Sequence, residues 1–121
     1  TSRRDALPAA LTTLELRLME LARSLATEPR LLLLDEPLAG LSGDGVEIMI
    51  ALVQGQRARG VTVVLIEHTL QALLRLADRF VVLDHGRQVA DGAPGEVIRD
   101  PAVVEAYLGK RWLRNADGLR R

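Results

Sequence analysis

The 121-residue sequence contains no cysteine and very few aromatic residues. Without cysteine, the chain can form neither a disulfide nor a thiolate metal site, and it has no cysteine nucleophile. Phe80, Tyr107 and Trp112 are its only aromatic residues, so the predicted core is aliphatic. No apolar run approaches the length of a membrane span, and the sequence does not open with a basic-then-apolar leader. We therefore expect a soluble, cytoplasmic protein.

The sequence also lacks an excess of charge of either sign, because 16 acidic residues balance 16 lysine and arginine residues. A balanced chain has no overall field that would attract nucleic acid or an anionic membrane, and we expect no nucleic-acid partner. Apolar residues make up 48% of the sequence, which favours a buried core over disorder. The length suits one small domain.

Segments typical of strands and helices alternate along the chain. Short aliphatic runs bounded by turn residues predict buried strands at 31–34, 61–66 and 80–83, with a partner strand at 88–91 after a hairpin turn at 84–87. Apolar residues at helical spacing predict helices at 14–26, 44–59 and 69–77, and Pro94 and Pro101 each open a short helix. Ser42 is the predicted N-cap of the 44–59 helix, and residues 1–10 are predicted to be irregular. This alternation predicts a parallel α/β sheet flanked by helices.

Unusual polar residues follow two of the predicted strands. Asp35 and Glu36 stand directly after Leu31–Leu34, and the pair Glu67 and His68 follows the strand at 61–66. Because neighbouring parallel strands end at the same edge of a sheet, we expect these side chains to lie close together. A strand-end carboxylate can hold Mg²⁺ through water, a second carboxylate can polarise an attacking water, and a histidine can bind phosphate or relay a proton. Taken separately, each pair could equally be a solvated strand end.

Several motifs resemble those of ATP-binding cassette (ABC) ATPases. The stretch Leu31–Pro37 resembles the Walker B motif, Ala39–Ser42 the D-loop and Ile66–His68 the H-loop, while Leu11–Glu15 falls where the LSGGQ signature stands. Gly92–Gly109 is similar to the end of subunits of the branched-chain amino-acid uptake type. Since these matches run in order along nearly the whole chain, we interpret residues 1–109 as the C-terminal part of an ABC nucleotide-binding domain and residues 110–121 as a basic tail. The fold class implied is α/β, a partial P-loop NTPase fold that lacks the Walker A strand.

The resemblance implies a role for each matching residue, with ATP and Mg²⁺ as cofactors. Asp35 would hold Mg²⁺ through water, Glu36 would orient and deprotonate the hydrolytic water, and His68 would contact the γ-phosphate. The signature residues would touch the nucleotide of a second ABC ATPase subunit, in a homodimer or heterodimer, and the D-loop would pass between the two subunits. The signature residues are Leu11, Thr12, Thr13, Leu14 and Glu15, and the D-loop residues are Gly40, Leu41 and Ser42. Transmembrane permease subunits are the further partners implied, which would place the protein on the inner face of the cell membrane.

The sequence departs from the family pattern in the phosphate loop and in the signature. It contains no G-x-x-x-x-G-K-[ST] motif, because the only lysine is Lys110 and neither Val104 nor Arg111 fits the required pattern around it. Thr13 and Leu14 replace two signature glycines whose bare backbone would approach the γ-phosphate. We therefore expect weak hydrolysis at the site that this signature completes, and an inactive isolated chain.

The missing phosphate loop also has a structural consequence. In this family the phosphate-loop strand lies between the strands that correspond here to 61–66 and 80–83. Its absence predicts unpaired strand edges and exposed apolar side chains, and hence either marginal stability or a repacked sheet.

The leading hypothesis is the ATP-hydrolysing subunit of an ABC importer, with branched-chain amino acids as the expected cargo and urea or another small polar solute left open. One alternative is a DNA-repair or chromosome-maintenance ABC ATPase, although residues 1–10 show no heptad pattern. A second is a phospho-acceptor receiver domain, which would want a lysine beyond a later strand rather than Lys110 in the tail. The third is a non-catalytic remnant of an ABC ATPase.

Overall fold

The computed structural model describes residues 3–108, which divide into two compact units, one ending at Leu76 and the next beginning at Ala77. The elements of the first unit are a 3₁₀ turn (Pro8–Ala10), α1 (Thr13–Leu25), β1 (Leu31–Asp35), α2 (Asp44–Ala58), β2 (Thr62–Ile66) and α3 (Leu70–Leu76). Those of the second are β3 (Phe80–Asp84), β4 (Arg87–Gly92), α4 (Pro94–Val97) and α5 (Pro101–Val103), followed by a π-helical turn (Val104–Leu108). The basic tail predicted at 110–121 lies outside the described residues.

The first unit is built on a parallel two-stranded sheet. β1 and β2 pair in register, from Leu31 opposite Thr62 to Asp35 opposite Ile66. One face of this sheet packs against the three helices and forms an aliphatic core, as the composition predicts. The buried residues of this core are Leu21, Leu32, Leu38, Met49, Ile50, Val53, Ala72 and Leu76.

The opposite face of the same sheet is apolar but exposed. The exposed fractions are 52% for Leu31, 68% for Leu33, 51% for Val64 and 60% for Ile66. Strands that are apolar on both faces are typical of parallel sheets with both faces covered. Within residues 3–108, therefore, the sheet buries only half of the apolar surface that its sequence provides.

The two long helices of the first unit begin differently. Thr12 caps α1: its hydroxyl accepts a hydrogen bond from the Glu15 N–H (3.2 Å), and its own N–H donates to Glu15 Oε2 (2.8 Å). This reciprocal pair is a capping box. The prediction that Ser42 caps α2 is wrong, because the N-cap is Gly43, whose φ of 51° and ψ of −125° form a turn that favours glycine. Ser42 lies one residue earlier.

The second unit is an antiparallel hairpin followed by short helical turns. β3 and β4 pair from Phe80 opposite Gly92 to Asp84 opposite Arg87, with an irregularity between Val82 and Leu83. His85 and Gly86 form the predicted two-residue turn, with φ values of 46° and 76°. Two residues with positive φ give a hairpin turn whose twist matches that of the strands.

The strands thus form two separate two-stranded sheets. Within the described part of the chain, the second edge of β2 and the second edge of β3 pair with no strand. The predicted α/β fold class, with a parallel sheet flanked by helices, is confirmed. None of the helices described is both long enough and apolar enough to cross a membrane.

Candidate functional site at the carboxyl ends of β1 and β2

The carboxyl ends of the two parallel strands bring the predicted polar residues together. After the last residue pair, Asp35 with Ile66, the Glu36 N–H donates a further hydrogen bond to the Ile66 carbonyl at 2.8 Å. The ladder therefore continues one residue past β1, and Glu36 lies beside the segment that carries His68. This confirms the juxtaposition that parallel pairing predicts.

Glu36 and His68 form the centre of this site. His68 Nδ1 lies 3.6 Å from Glu36 Oε1, which is near but longer than a hydrogen bond. The two side chains are 52% and 74% exposed, respectively, so both are open to water and to a ligand. The pair can therefore act as an acceptor and a donor on one bound molecule, the arrangement that general acid–base chemistry requires.

The backbone at Glu36 is held in an unusual conformation. Its φ of 46° is left-handed, a conformation that costs a non-glycine residue roughly 1–3 kcal/mol. The next residue, Pro37, occupies the second position of a turn closed by a hydrogen bond from the Ala39 N–H to the Glu36 carbonyl (3.0 Å). Proline favours this position because its φ is already fixed at the required value. The turn changes the direction of the chain immediately after the strand-end carboxylates.

Asp35 is the residue that fits a metal-binding role. It is exposed at the last position of β1, next to Glu36 in the sequence. Mg²⁺ is usually held by one or two carboxylates together with water and substrate phosphate, rather than by an all-protein cage. Over residues 3–108, no three histidine, aspartate or glutamate side chains gather into such a cage. Asp35 is thus an exposed carboxylate that could contact Mg²⁺ through water at this edge of the sheet.

Glu67 is a functional candidate to which the sequence analysis assigned no role. Its side chain is only 1% exposed. Oε1 accepts a hydrogen bond from the Leu38 N–H (3.0 Å), and Oε2 accepts one from the His68 N–H (3.1 Å). The only signal in the sequence was an acid directly before His68, and its contact with Leu38, 29 residues away, depends on the pairing of β1 with β2.

The signature-like residues lie at the start of α1 and serve local structure there. Thr12 and Glu15 form the capping box, and the hydrogen bond from the Thr12 backbone N–H lowers the pKa of the Glu15 carboxyl. Arg3 Nε lies 3.0 Å from Glu15 Oε1, forming an ion pair. Leu11 is half-buried and precedes the cap. The side chains of Thr12 and Glu15 thus already have partners within the chain.

The signature-like segment also packs against the D-loop-like segment. A Cβ added to Gly40 would lie 3.2 Å from Thr13 Cγ2. One added to Gly45 would lie 3.8 Å from both Leu14 methyl groups and from Leu41 Cβ. Ser42 is exposed in the same segment. These contacts join the two predicted binding segments to each other rather than to Glu36 and His68.

A small cleft lies between α1 and the end of β1. It is lined by Arg17 and Glu20, which form an ion pair of 3.1 Å, and by Leu33, Asp35 and Pro37 on the strand side. Its volume is about 160 Å³. Sites for small-molecule ligands are usually about 300–1,000 Å³, so this cleft is too small to enclose a nucleotide.

Proteins with similar sequences are ATP-binding subunits of transporters. The model of a family described as "Branched-chain amino acid ATP-binding cassette transporter" matches residues 87–112. The chain is 41% identical over 95 residues to the high-affinity branched-chain amino acid transport ATP-binding protein BraF of Pseudomonas aeruginosa, a match covering 78% of this chain and 37% of BraF. It is 37% identical over 109 residues to the lipopolysaccharide export system ATP-binding protein LptB of Acidithiobacillus ferridurans, covering 90% of this chain and 45% of LptB. The chain thus spans less than half the length of these relatives.

Solved structures show the same relationship in three dimensions. A nucleotide-free ATP-binding cassette from an ABC transporter superposes with a TM-score of 0.79 at 31% identity, covering 88% of this chain and 44% of that one. The ADP conformation of MJ1267, an ATP-binding cassette of an ABC transporter, gives a TM-score of 0.73 at 32% identity, covering 84% and 41%. Sequence motifs, relatives and fold therefore agree. The chain belongs to the ABC ATPase family, spans part of an ATP-binding cassette, and is similar in sequence to the branched-chain amino-acid type.

Proposed function

We propose that this chain supplies the water-activating end of the ATPase site in an ABC transporter subunit. The observation that carries this proposal is the meeting of Glu36 and His68, 3.6 Å apart, at the carboxyl edge of a parallel sheet with Asp35 beside them. Ligands of open α/β folds bind at this edge. The side chains at this edge are of types that can activate a water molecule and contact a phosphate.

In the proposed reaction, Glu36 is the general base. Its exposed carboxylate accepts a proton from the water that attacks the γ-phosphorus, and the bond from that phosphorus to the ADP oxygen breaks. His68 donates a hydrogen bond to a γ-phosphate oxygen. Asp35 would hold Mg²⁺ through water, and the ion would supply positive charge beside the phosphate oxygens. Because His68 and Glu36 are neighbours, both can reach the same phosphate and its attacking water.

The site proposed here needs parts that this sequence does not contain. Backbone amides and a lysine must cradle the phosphates, and no G-x-x-x-x-G-K-[ST] motif is present. We therefore propose that ATP binds only where such a loop is supplied, and that Leu11–Glu15 and Gly40–Ser42 act toward the nucleotide of a second ABC ATPase subunit. Alone, the 121-residue chain is expected to bind no Mg-ATP.

Branched-chain amino acids are the proposed cargo of the assembled transporter. BraF is named for that transport and its sequence is 41% identical, which supports this choice. LptB, named for lipopolysaccharide export, is 37% identical over a longer stretch, so the similarity extends to an ATP-binding protein with a different cargo. We propose transmembrane permease subunits as partners, and a position on the inner face of the membrane when assembled with them.

A non-catalytic remnant is the second candidate, and a specific observation favours it. Thr13 and Leu14, which stand in place of signature glycines, pack beside Gly40 and Gly45 in the same unit. Their side chains thus occupy the space beside the D-loop-like segment. In this alternative the fold persists while nucleotide turnover is lost.

Substitution of Glu36 distinguishes these two candidates. In a full-length protein that contains this segment, Glu36→Gln should lower the ATPase rate by roughly 10²- to 10⁴-fold, because the general base is lost. ATP binding, followed by fluorescence of a nucleotide analogue, should change little. Glu105→Gln is the matched control, since Glu105 is an exposed carboxylate outside the site. ATPase activity equal to wild type in Glu36→Gln would contradict the assignment of the base, and absence of activity in the wild type would favour the remnant.

A further inference from the structure

A buried carboxylate lies next to the two exposed residues of the proposed site. The Glu67 side chain is 1% exposed, compared with 52% for Glu36 and 74% for His68. Burying a carboxylate is unfavourable unless hydrogen bonds replace its contacts with water. The buried carboxylate of Glu67 therefore needs hydrogen-bond donors inside the protein, and the identity of those donors suggests its role.

Both carboxylate oxygens of Glu67 accept hydrogen bonds from backbone N–H groups on opposite sides of the site. Oε1 takes the Leu38 N–H at 3.0 Å, within the turn that follows Glu36. Oε2 takes the N–H of His68 at 3.1 Å. Hydrogen bonds to an ionised acceptor are stronger than those between neutral groups. Glu67 thus joins the turn after β1 to the segment after β2.

This connection restrains Glu36 from its C-terminal side. On its N-terminal side, the Glu36 N–H is fixed to the Ile66 carbonyl at 2.8 Å. Only Pro37, whose ring limits φ, separates Glu36 from Leu38. The backbone of Glu36 therefore lies between two hydrogen bonds. The first joins Glu36 itself to Ile66, and the second joins Leu38 to Glu67. Glu36 has its left-handed φ of 46° between these two contacts.

From these contacts we propose that Glu67 is a positioning residue, which fixes the carboxylate of Glu36 relative to His68 without contacting the nucleotide. The proposal rests on the function proposed above, because it assigns Glu67 a role in that reaction. A displacement of about 1 Å in a reacting group can lower a rate on the order of 100-fold. Losing the Leu38 contact should therefore reduce turnover while leaving nucleotide binding intact.

Two substitutions in a full-length protein containing this segment test the role of Glu67. Glu67→Ala removes both acceptors and should lower kcat by roughly 10- to 100-fold, with the KM for ATP within about twofold of wild type. Glu67→Gln keeps a carbonyl oxygen that can accept the Leu38 N–H, and should retain kcat within about threefold. Glu96→Ala, at an exposed position in the second unit, controls for the loss of a carboxylate. Unchanged kcat in Glu67→Ala, or an equal loss in both Glu67 variants, would overturn the proposal.

Amide hydrogen exchange at Leu38, measured in the full-length protein containing this segment, reports the contact independently of catalysis. We expect at least tenfold faster exchange in Glu67→Ala than in wild type, and near-wild-type exchange in Glu67→Gln. Equal protection in wild type and Glu67→Ala would overturn the anchoring contact. If the wild-type full-length protein hydrolyses no ATP, the proposed function fails instead, and the Leu38 result still decides whether Glu67 holds this turn.

Discussion

At the scale of single residues, two positions near the site have a positive φ, one of them a glycine and the other not. Glu36 takes a left-handed φ with a full side chain, whereas Gly40 takes a φ of 76° where no side chain is present. The first is held by hydrogen bonds on both sides. The second is a position where the backbone conformation and the neighbouring Thr13 methyl both favour glycine.

Gly40→Ala should therefore destabilise the chain. The left-handed backbone costs a residue with a Cβ about 1–2 kcal/mol, and Thr13 must also move, because its Cγ2 would be 3.2 Å from the new atom. We expect a lower midpoint in urea denaturation followed by circular dichroism.

Gly55 provides the matched control for Gly40. It lies inside α2, and a Cβ there would have no neighbour within 4 Å. Gly55→Ala should raise the free energy of unfolding by about 0.5–1 kcal/mol, because alanine loses less backbone entropy in a helix. Equal effects of the two substitutions would contradict the strain assigned to Gly40.

The role of Glu67 marks the limit of what single residues in the sequence can show. The placement of Asp35, Glu36 and His68 at one edge of the sheet can be predicted from the sequence. Each is an unusual polar side chain at the end of an apolar strand, and neighbouring parallel strands end at the same edge. The contact of Glu67 with Leu38 depends on the shape of the turn after β1, to which the left-handed Glu36 contributes. No local pattern in the sequence predicts that shape.

At the scale of elements, the starts of α1 and α2 show how similar residues take different roles. Thr12 and Ser42 are both hydroxyl residues placed just before a helix, and Ser42 was the one predicted to cap. In the structure Thr12 has a partner at Glu15, whereas Gly43 takes the cap position of α2. The strand and helix positions agree with the sequence prediction because they follow apolar periodicity. The cap of α2 instead depends on the turn at Gly43, whose φ is 51°.

Alanine substitutions at Thr12 and Ser42 test this difference. Thr12→Ala should lower the free energy of unfolding by about 1 kcal/mol, because the N–H of Glu15 loses its acceptor. Ser42→Ala should stay within about 0.5 kcal/mol of wild type, as expected for an exposed position outside the cap. The measurement is again urea denaturation, and a larger loss from Ser42→Ala than from Thr12→Ala would contradict the assigned caps.

At the scale of the whole molecule, the exposed face of the β1–β2 sheet is the dominant feature. Leu33 and Ile66 are 68% and 60% exposed, although their strands are apolar on both faces. The free second edge of β2, among the residues described, adds unpaired backbone groups. Both features lower the stability expected of the chain in isolation.

We therefore expect the isolated 121-residue chain to unfold in a broad transition at low temperature and to associate as its concentration rises. Thermal unfolding followed by circular dichroism, together with sedimentation velocity over a range of concentrations, would measure both. A sharp, concentration-independent transition well above room temperature would contradict this expectation. It would mean that the chain folds stably although this apolar face is exposed to water.

The apolar character of both faces of β1 and β2 has a consequence for the choice of register. In most sheets, a slip by one residue moves a polar side chain into the core, and burial selects the correct pairing. If β1 slipped by one residue, another leucine would replace Leu32 on the core face, so burial of the four leucines discriminates weakly between registers. The choice then depends on a side-chain contact beyond the strands, where Glu67 Oε1 accepts a hydrogen bond from the Leu38 N–H. We expect the hydrogen bond between Glu67 and Leu38, which aligns the proposed catalytic groups, also to stabilise the observed register of the two strands.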